Sequence, residues 1–377
     1  MKRNIFLTGS TGFVGVNLSL RILKNDPTDH LYLLIRSASR QEARHRFFET
    51  LSTVDASINT DDISPRLHFF AGDITLSRLG LCSSDYEALV DEVTHIIHAA
   101  ASVEFQLSLN ESRRINCGGT REVMNLALTA QQRGHLQQIA YVSTAYVSGS
   151  TPGAIAEDTL RADSDFSNSY EQSKHETERY IRYLMDELPI TIFRPSVIVG
   201  DSKSGITTSF NVLYSPLKLI YKGVVPFLPG SASNPLDVVP IDFVSDAFYH
   251  LFFRRLESIG KTYHLTAAER QPTVGEIADS AVDYFNEVTN ESVKKVRFLP
   301  PTLFYHGLSL LPRSRKVLQI IKTYEPYFCI RRMFDNTNTN TGLQGTGIMP
   351  PRFSDYYKII LNYFIESQYK IKLAYAA

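Results

Sequence analysis

Apolar positions along the chain fall into two alternating kinds of run. Short continuous stretches at Ile5 to Leu7, Leu31 to Ile35, Leu67 to Phe70, Thr94 to Ile97, Gln138 to Val142 and Ile190 to Phe193 read as strands buried on both faces. Between them, apolar residues recur at helical spacing over Val14 to Leu23, Ser39 to Leu51, Ser84 to Glu92, Asn110 to Gln132 and Asn168 to Leu188. A parallel strand pair needs a crossover, and a helix supplies it, so the alternation predicts a doubly wound parallel α/β sheet. Past Gly200 the pattern loosens. Leu236 to Val239 and Thr262 to Leu265 read as short returns to the sheet. A helix near Val274 to Glu287, a strand at Val293 to Phe298, two helices between Pro301 and Tyr324 and a closing helix at Asp355 to Ile365 read as a smaller, mostly helical cap. The Asn/Thr-rich run at 335–341 reads as a surface loop.

The first strand leads into Thr8-Gly9-Ser10-Thr11-Gly12-Phe13-Val14-Gly15 and then into the first helix. In this arrangement Gly9 makes the tight turn, Gly12 lets backbone approach a pyrophosphate, and Gly15 lets the helix lie close on the strand. A helix N-terminus placed there offers unpaired N–H groups to an anion, so a dinucleotide is the expected ligand of this Rossmann-type unit. Residues 1–200, with the returns at about 236–268, would form the dinucleotide-binding domain, and 201–235 with 269–377 the substrate cap.

Composition narrows the classes. The 377 residues are 43% hydrophobic, enough for a sizeable core and more than the usual single domain. Thirty-nine basic against thirty-nine acidic residues leave no global field for nucleic acid. Cys82, Cys117 and Cys329 lie far apart without metal-ligand spacing, which argues against a disulfide framework or a metal site and for a reducing, cytoplasmic setting. No secretory leader or membrane-spanning run is evident, and Arg313, Arg315 and Lys316 beside apolar residues read as a solvated cluster, a peripheral membrane contact or a contact for the acidic surface of a carrier.

Tyr170 and Lys174 lie four residues apart on one face of a predicted helix, a spacing that suits acid–base chemistry because a nearby cation favours the phenolate. Ser143 and Thr144 close the fifth strand, where a hydroxyl can reach a carbonyl oxygen held over the sheet or simply satisfy turn backbone. Asn116, in the helix before that strand, can tolerate a break in helix geometry and fix the lysine through a water, or be an ordinary buried amide.

With these pieces in order, residues 3 to about 265 resemble the extended short-chain dehydrogenase/reductase family. The resemblance implies that Tyr170 is the general acid/base, that Lys174 binds the nicotinamide ribose and lowers the tyrosine pKa, that Thr144 polarises the substrate carbonyl, and that Asn116 completes a proton relay. Finer matches look like its thioester-reductase branch, the fatty acyl-CoA reductases and the terminal reductase domains of carboxylic acid reductases and peptide synthetases. They are Arg36-Ser37 with Arg46; Gly72-Asp73-Ile74 with Leu79-Gly80-Leu81; His98-Ala99-Ala100-Ala101 through Phe105; Ser143 to Val147; Arg194-Pro195-Ser196-Val197 to Gly200; and Phe334-Asp335-Asn336. By that likeness Gly9, Ser10, Thr11, Gly12, Phe13, Val14, Gly15, Ala99, Ala100 and Ala101 contact the dinucleotide. Asp73 and Ile74 flank its adenine, and Pro195, Ser196 and Val197 meet its nicotinamide. Arg36 stands at the end of strand two, where the sugar epimerases of the same scaffold usually place an acidic residue, and its charge, with Arg46 ten residues on, would meet a 2′-phosphate, so the cofactor implied is NADPH.

The implied substrate is an acyl thioester of CoA or of a carrier protein, and the implied product is the aldehyde or, after a second hydride, the primary alcohol. The apolar stretches Asn211 to Leu228 and Leu303 to Ile330 would line an acyl tunnel or form the core of the cap. No carrier segment is evident, so the thioester is expected from free CoA or a separate protein. The rival readings are a dehydrogenase of a secondary alcohol, ketone or sugar nucleotide, and a non-catalytic NADP-binding regulator. Cys117 and His98 read as packed structural residues.

Overall fold

The computed structural model of the chain describes residues 2–162, 164–210, 212–289, 292–309 and 315–369. The amino-terminal half alternates β1 (Asn4–Thr8), α1 (Phe13–Asn25), β2 (His30–Ile35), α2 (Arg40–Val54), the single turn α3 (Thr60–Ile63), β3 (Leu67–Ala71), α4 (Ser83–Glu92) and β4 (His95–His98). The chain continues through α5 (Leu109–Arg113), a π-helical turn at Arg114–Gly118, α6 (Gly119–Gln132), β5 (Gln138–Val142), β6 (Gly153–Ile155), α7 (Ser169–Leu184), β7 (Ile190–Pro195) and β8 (Val197–Val199). Then come α8 (Tyr214–Tyr221), β9 (Phe227–Pro229), β10 (Val238–Pro240), α9 (Ile241–Phe253), β11 (Thr262–Leu265) and α10 (Val274–Val288). The last elements are β12 (Arg297–Leu299), α11 (Pro301–Ser309), α12 (Arg315–Cys329), β13 (Arg332–Phe334), α13 (Thr337–Leu343) and α14 (Phe353–Tyr369).

Seven strands form one parallel sheet in the order β11-β7-β5-β4-β1-β2-β3. Strand alternation sends Ile5 and Leu7 into one core, with α1, α2 and α9, and Phe6 into the other, with α4, α6 and α7. The chain runs outward through β2 and β3, then crosses back to β4 on the far side of β1. Beyond the carboxyl ends of β1 and β4 this reversal opens a crevice, the place where doubly wound sheets take ligands. A third core, with Leu217, Phe285, Tyr327 and Phe364 among its members, joins α8, α10, α12 and α14 into the cap.

Several expectations need correction. The stretch near Leu236 to Val239 does not return to the large sheet: β10 pairs only with β8. The expected strand from Val293 shrinks to β12, paired with β9. α7 stops at Leu184, short of Leu188. α9 escapes the pattern reading because nine of its thirteen residues are buried, which erases the polar stripe that marks a surface helix. The run at 335–341 is no surface loop. Most of it is α13, with Asn336 and Thr339 buried, and it lies against β11 and α9 while β13 pairs with β6. Its short polar side chains serve a buried carboxylate: Glu157 accepts from Asn338 N, from Thr339 N and from Thr339 Oγ1 at 2.7 Å. Glu157 thus sits at the positive end of α13, where an anion is favoured.

Candidate active site

The glycine turn is sterically obligatory. Gly9 has φ +76°, and a Cβ there would lie 2.7 Å from the Ala100 nitrogen. A Cβ on Gly15 would lie 2.1 Å from the Gly9 carbonyl oxygen, and one on Gly12 3.1 Å from the same atom. Gly12 caps α1 without a side chain, so the opening N–H groups of the helix remain available to an anion. In the same turn the Ser10 hydroxyl is buried with no hydrogen-bond partner among the described residues. The narrow glycine cradle, the uncapped helix start and this unpartnered hydroxyl all suit a dinucleotide pyrophosphate.

From this turn a cleft of about 1040 Å³ runs past Ala99 and Ala101, along Val142 to Thr144, Tyr170, Lys174 and Pro195 to Ile198, and ends among Phe105, Val212, Thr323, Tyr324 and Tyr327. Thr11, Phe13 and Val14 also line it, whereas Ser10 and Ala100 stand behind its wall. Arg36, Arg46, Asp73 and Ile74 lie outside the cleft lining. Arg36 is exposed at the end of β2, and no side-chain partner is found for it among the described residues. Arg46, reaching back from α2, donates to the Arg36 carbonyl oxygen. Asp73 Oδ1 accepts from the Thr75 nitrogen at 2.9 Å and hydroxyl at 2.8 Å, and Ile74 packs into the space that Gly119 leaves.

α7 starts where it does because Asn168 Oδ1 accepts from the Glu171 nitrogen at 2.9 Å, a side-chain N-cap. Tyr170 therefore falls in its first turn, with Lys174 one turn on. The Thr144 hydroxyl stands close enough to the Tyr170 phenol to draw its pKa down. Thr144 Oγ1 also lies 3.4 Å from the Pro195 carbonyl oxygen and accepts from the Tyr146 nitrogen at 3.3 Å. Its neighbour has another fate: Ser143 Oγ donates to Glu178 Oε2 at 2.7 Å, a carboxylate that Arg194 and Arg182 also grip. Of the two adjacent hydroxyls, Thr144 is the one beside the phenol in the cleft.

Burial pushes the Tyr170 phenol up to about 12, against the neighbouring Thr144 hydroxyl, which pulls it down. Lys174 takes no part in that shift, contrary to expectation. Its Nζ donates to the Val142 carbonyl oxygen at 2.7 Å and lies 4.3 Å from the Tyr141 ring centroid. Burial brings Lys174 itself down to about 7, with Glu178 opposing. With its pKa raised in this way, the Tyr170 phenol is a proton donor at neutral pH.

Asn116 occupies the π turn between α5 and α6, a helical irregularity that recurs at functional sites. Its side chain is committed elsewhere than to Lys174: Nδ2 donates to Ser173 Oγ at 2.9 Å and to the Ser102 carbonyl oxygen at 3.2 Å, and Oδ1 accepts from the Ser102 nitrogen at 2.8 Å. It thus ties the segment after β4 to the residue just before Lys174.

An aromatic wall stands beside the phenol and was not legible as part of the site. The Phe105 ring lies 5.8 Å from Tyr170 and stacks 5.7 Å from Tyr327, whose hydroxyl donates to the buried Glu171 at 2.6 Å. The i, i+3 pair Tyr324 and Tyr327 on α12 was the available signal. Of the two stretches expected to line a tunnel, Val212, Thr323, Tyr324 and Tyr327 do reach the cleft, while Leu213, Leu217, Ile220 and Leu228 belong to the cap core. Asn211, Arg313 and the side chains of Arg315 and Lys316 lie outside what the structure describes. Among the described residues the cysteines are free, no group of His, Cys, Asp and Glu could hold a metal ion, and no helix is long and apolar enough to cross a membrane.

Comparison with known proteins extends this picture. The Male sterility protein family profile, a NAD-binding one, matches residues 7–248. A putative fatty acyl-CoA reductase of Drosophila melanogaster is 29% identical over 316 residues, 72% of this chain and 60% of the relative. A second fatty acyl-CoA reductase of that fly is 27% identical over 277 residues, 65% of this chain and 53% of the relative. The chain therefore spans only 53% to 60% of the length of these two relatives. Among solved structures, the terminal R domain from the myxalamid PKS-NRPS biosynthetic pathway superposes with a TM-score of 0.83 at 28% identity, covering 98% of this chain and 92% of that one. The glycine turn, the Tyr170 and Lys174 helix and the profile match agree, and the chain belongs to the Male sterility protein family, within the extended short-chain dehydrogenase/reductases.

Proposed function

We propose that the chain is an NADPH-dependent reductase of acyl thioesters. The observation that carries this reading is that Thr144, Tyr170 and Lys174 line one cleft together with the glycine turn. When bound, the reduced dinucleotide supplies the hydride. Thr144 and Tyr170 hold the thioester carbonyl oxygen between two hydroxyl donors, the arrangement that stabilises charge developing on oxygen. Tyr170 then gives its proton to that oxygen. The resulting hemithioacetal releases the thiol and leaves an aldehyde, and a second round at the same residues would give the primary alcohol. Lys174 lines the cleft with N–H donors to spare beyond the one given to the Val142 carbonyl and would hold the cofactor ribose, and Arg36 with Arg46 would meet a 2′-phosphate at the end of β2. Cys117 has no part in an acyl-enzyme: burial raises its thiol pKa, and its sulfur lies 3.4 Å from the Ser173 carbonyl oxygen and 3.2 Å from Thr177 Oγ1.

The acyl chain packs on the aromatic wall. A second opening shares Phe105 and Thr323 with the cleft and is lined by Leu318 and the polar Ser167, Asn168, Gln319 and Lys322, and it would admit the amide-rich arm of CoA or of a carrier protein. Supplying NADPH with acyl-CoA esters of graded chain length, and measuring NADPH loss against thiol released, tests the reading. One NADPH per thiol means aldehyde and two mean alcohol. Turnover of a ketone or sugar nucleotide with the thioesters untouched would overturn it.

A further inference from the structure

His98 lies at the end of β4, 1% exposed, and both of its ring nitrogens are bonded. The directions of those bonds follow from their partners. Thr120 Oγ1 donates to the Asn116 carbonyl oxygen at 2.6 Å, and a carbonyl can only accept, so the one proton of that hydroxyl is spent. The 2.9 Å contact between Thr120 Oγ1 and His98 Nε2 is therefore donated by the imidazole. Burial first, and then the nearby Lys174, pushes His98 down to about 3, so the ring is neutral and carries one N–H. Its Nδ1 is bare and accepts from the Thr8 hydroxyl at 2.7 Å. The Thr8 oxygen in turn accepts from the Ala100 N–H at 3.3 Å. Every donor in this chain points the same way, from Ala100 through Thr8, His98 and Thr120 to Asn116.

The two ends of the chain are significant. Ala100 backbone packs directly against Gly9, the first glycine of the phosphate turn. Asn116 grips Ser173, next to Lys174. We propose that His98 is a positioning residue: its imidazole, held as the Nε2–H tautomer, locks the cofactor turn to the Asn116 turn and so sets where Lys174 meets the bound cofactor. A histidine that merely fills space would need neither this direction nor this tautomer. The kinetic consequence rests on the thioester-reductase reading; the tautomer does not.

The full chain carrying ¹⁵N-labelled histidine tests both. Long-range ¹H–¹⁵N spectra, with the His98 signals assigned by their loss in H98Q, should show Nε2 protonated, Nδ1 bare and no titration between about pH 5 and 9. A protonated Nδ1, or a ring titrating near its ordinary pKa, overturns the proposal. In turnover assays T120V and H98L should each lower kcat about tenfold or more with the cofactor Kd and thioester KM within about twofold, and the double variant should be no worse than the more damaged single one. H98Q, which keeps one donor and one acceptor, should recover most of the loss. T120V with unchanged kcat and only a lowered Tm would reduce His98 to a packing residue and overturn the proposal. Wild-type protein inert toward thioesters would contradict the proposed function instead, and the imidazole spectrum then decides the His98 proposal by itself.

Discussion

Ser143 and Thr144 carry the same functional group on adjacent positions, yet the fold gives them opposite work. Ser143 faces the buried Glu178 and Arg194 pair, and Thr144 faces the Tyr170 phenol. T144A should therefore cost about a hundredfold in turnover, the usual scale for losing one hydroxyl donor to a developing oxyanion, with little change in stability. S143A should instead cost about 2 kcal/mol of unfolding free energy, because a buried carboxylate loses a hydrogen bond, and should spare most of the turnover. Urea unfolding and steady-state kinetics on the two variants separate these outcomes. Arg36 belongs to the same scale. R36A should raise the KM for NADPH about tenfold or more while leaving that for NADH unchanged, as expected for a guanidinium that meets only the 2′-phosphate. The glycine turn and the Tyr170 and Lys174 pair were legible because local spacing carries them. The choice of Thr144 over Ser143 came from the family resemblance, whereas the work of Ser143 was not legible, because it depends on Glu178 and Arg194, residues remote in sequence that only the folded sheet brings to the strand.

Among the elements, α13 and the π turn show what pattern reading misses. A run of Asn and Thr has the composition of a loop, but here its partners are the buried Glu157 and Thr266, so polarity marks burial among polar groups rather than exposure to water. α9 hides for the opposite reason, being apolar on most sides. Strands of the central sheet, by contrast, announce themselves, since burial on both faces leaves continuous apolar runs. The tie between these elements is Glu178 on α7 with Arg194 on β7, both almost wholly buried. Burial raises the Glu178 pKa, but Arg194 and Arg182 outweigh it and hold it at about 2 against an ordinary 4.5. A carboxylate with a lowered pKa stabilises the fold fully above the unfolded value and loses that stabilisation as pH falls toward the folded one. Wild-type protein should thus exceed E178Q by roughly 3 kcal/mol at neutral pH, and the gap should close between about pH 4.5 and 2. Chemical denaturation of both proteins across that range checks it.

At the level of the whole molecule, the reversal of strand order at β1 and β4 sets the crevice, and the cap closes one end of it with Tyr324 and Tyr327. The first half of the chain brings the phosphate turn, and α7 and β5 bring the phenol and its hydroxyl partner to the same cleft. The central claim is that Tyr170 donates the proton to the reacting oxygen. The most direct test is Y170F, measured for NADPH binding by fluorescence titration and for single-turnover thioester reduction. The account predicts that binding stays within about twofold while the reduction rate falls about a thousandfold or more. A variant that binds the cofactor and still reduces thioester at the wild-type rate would contradict it.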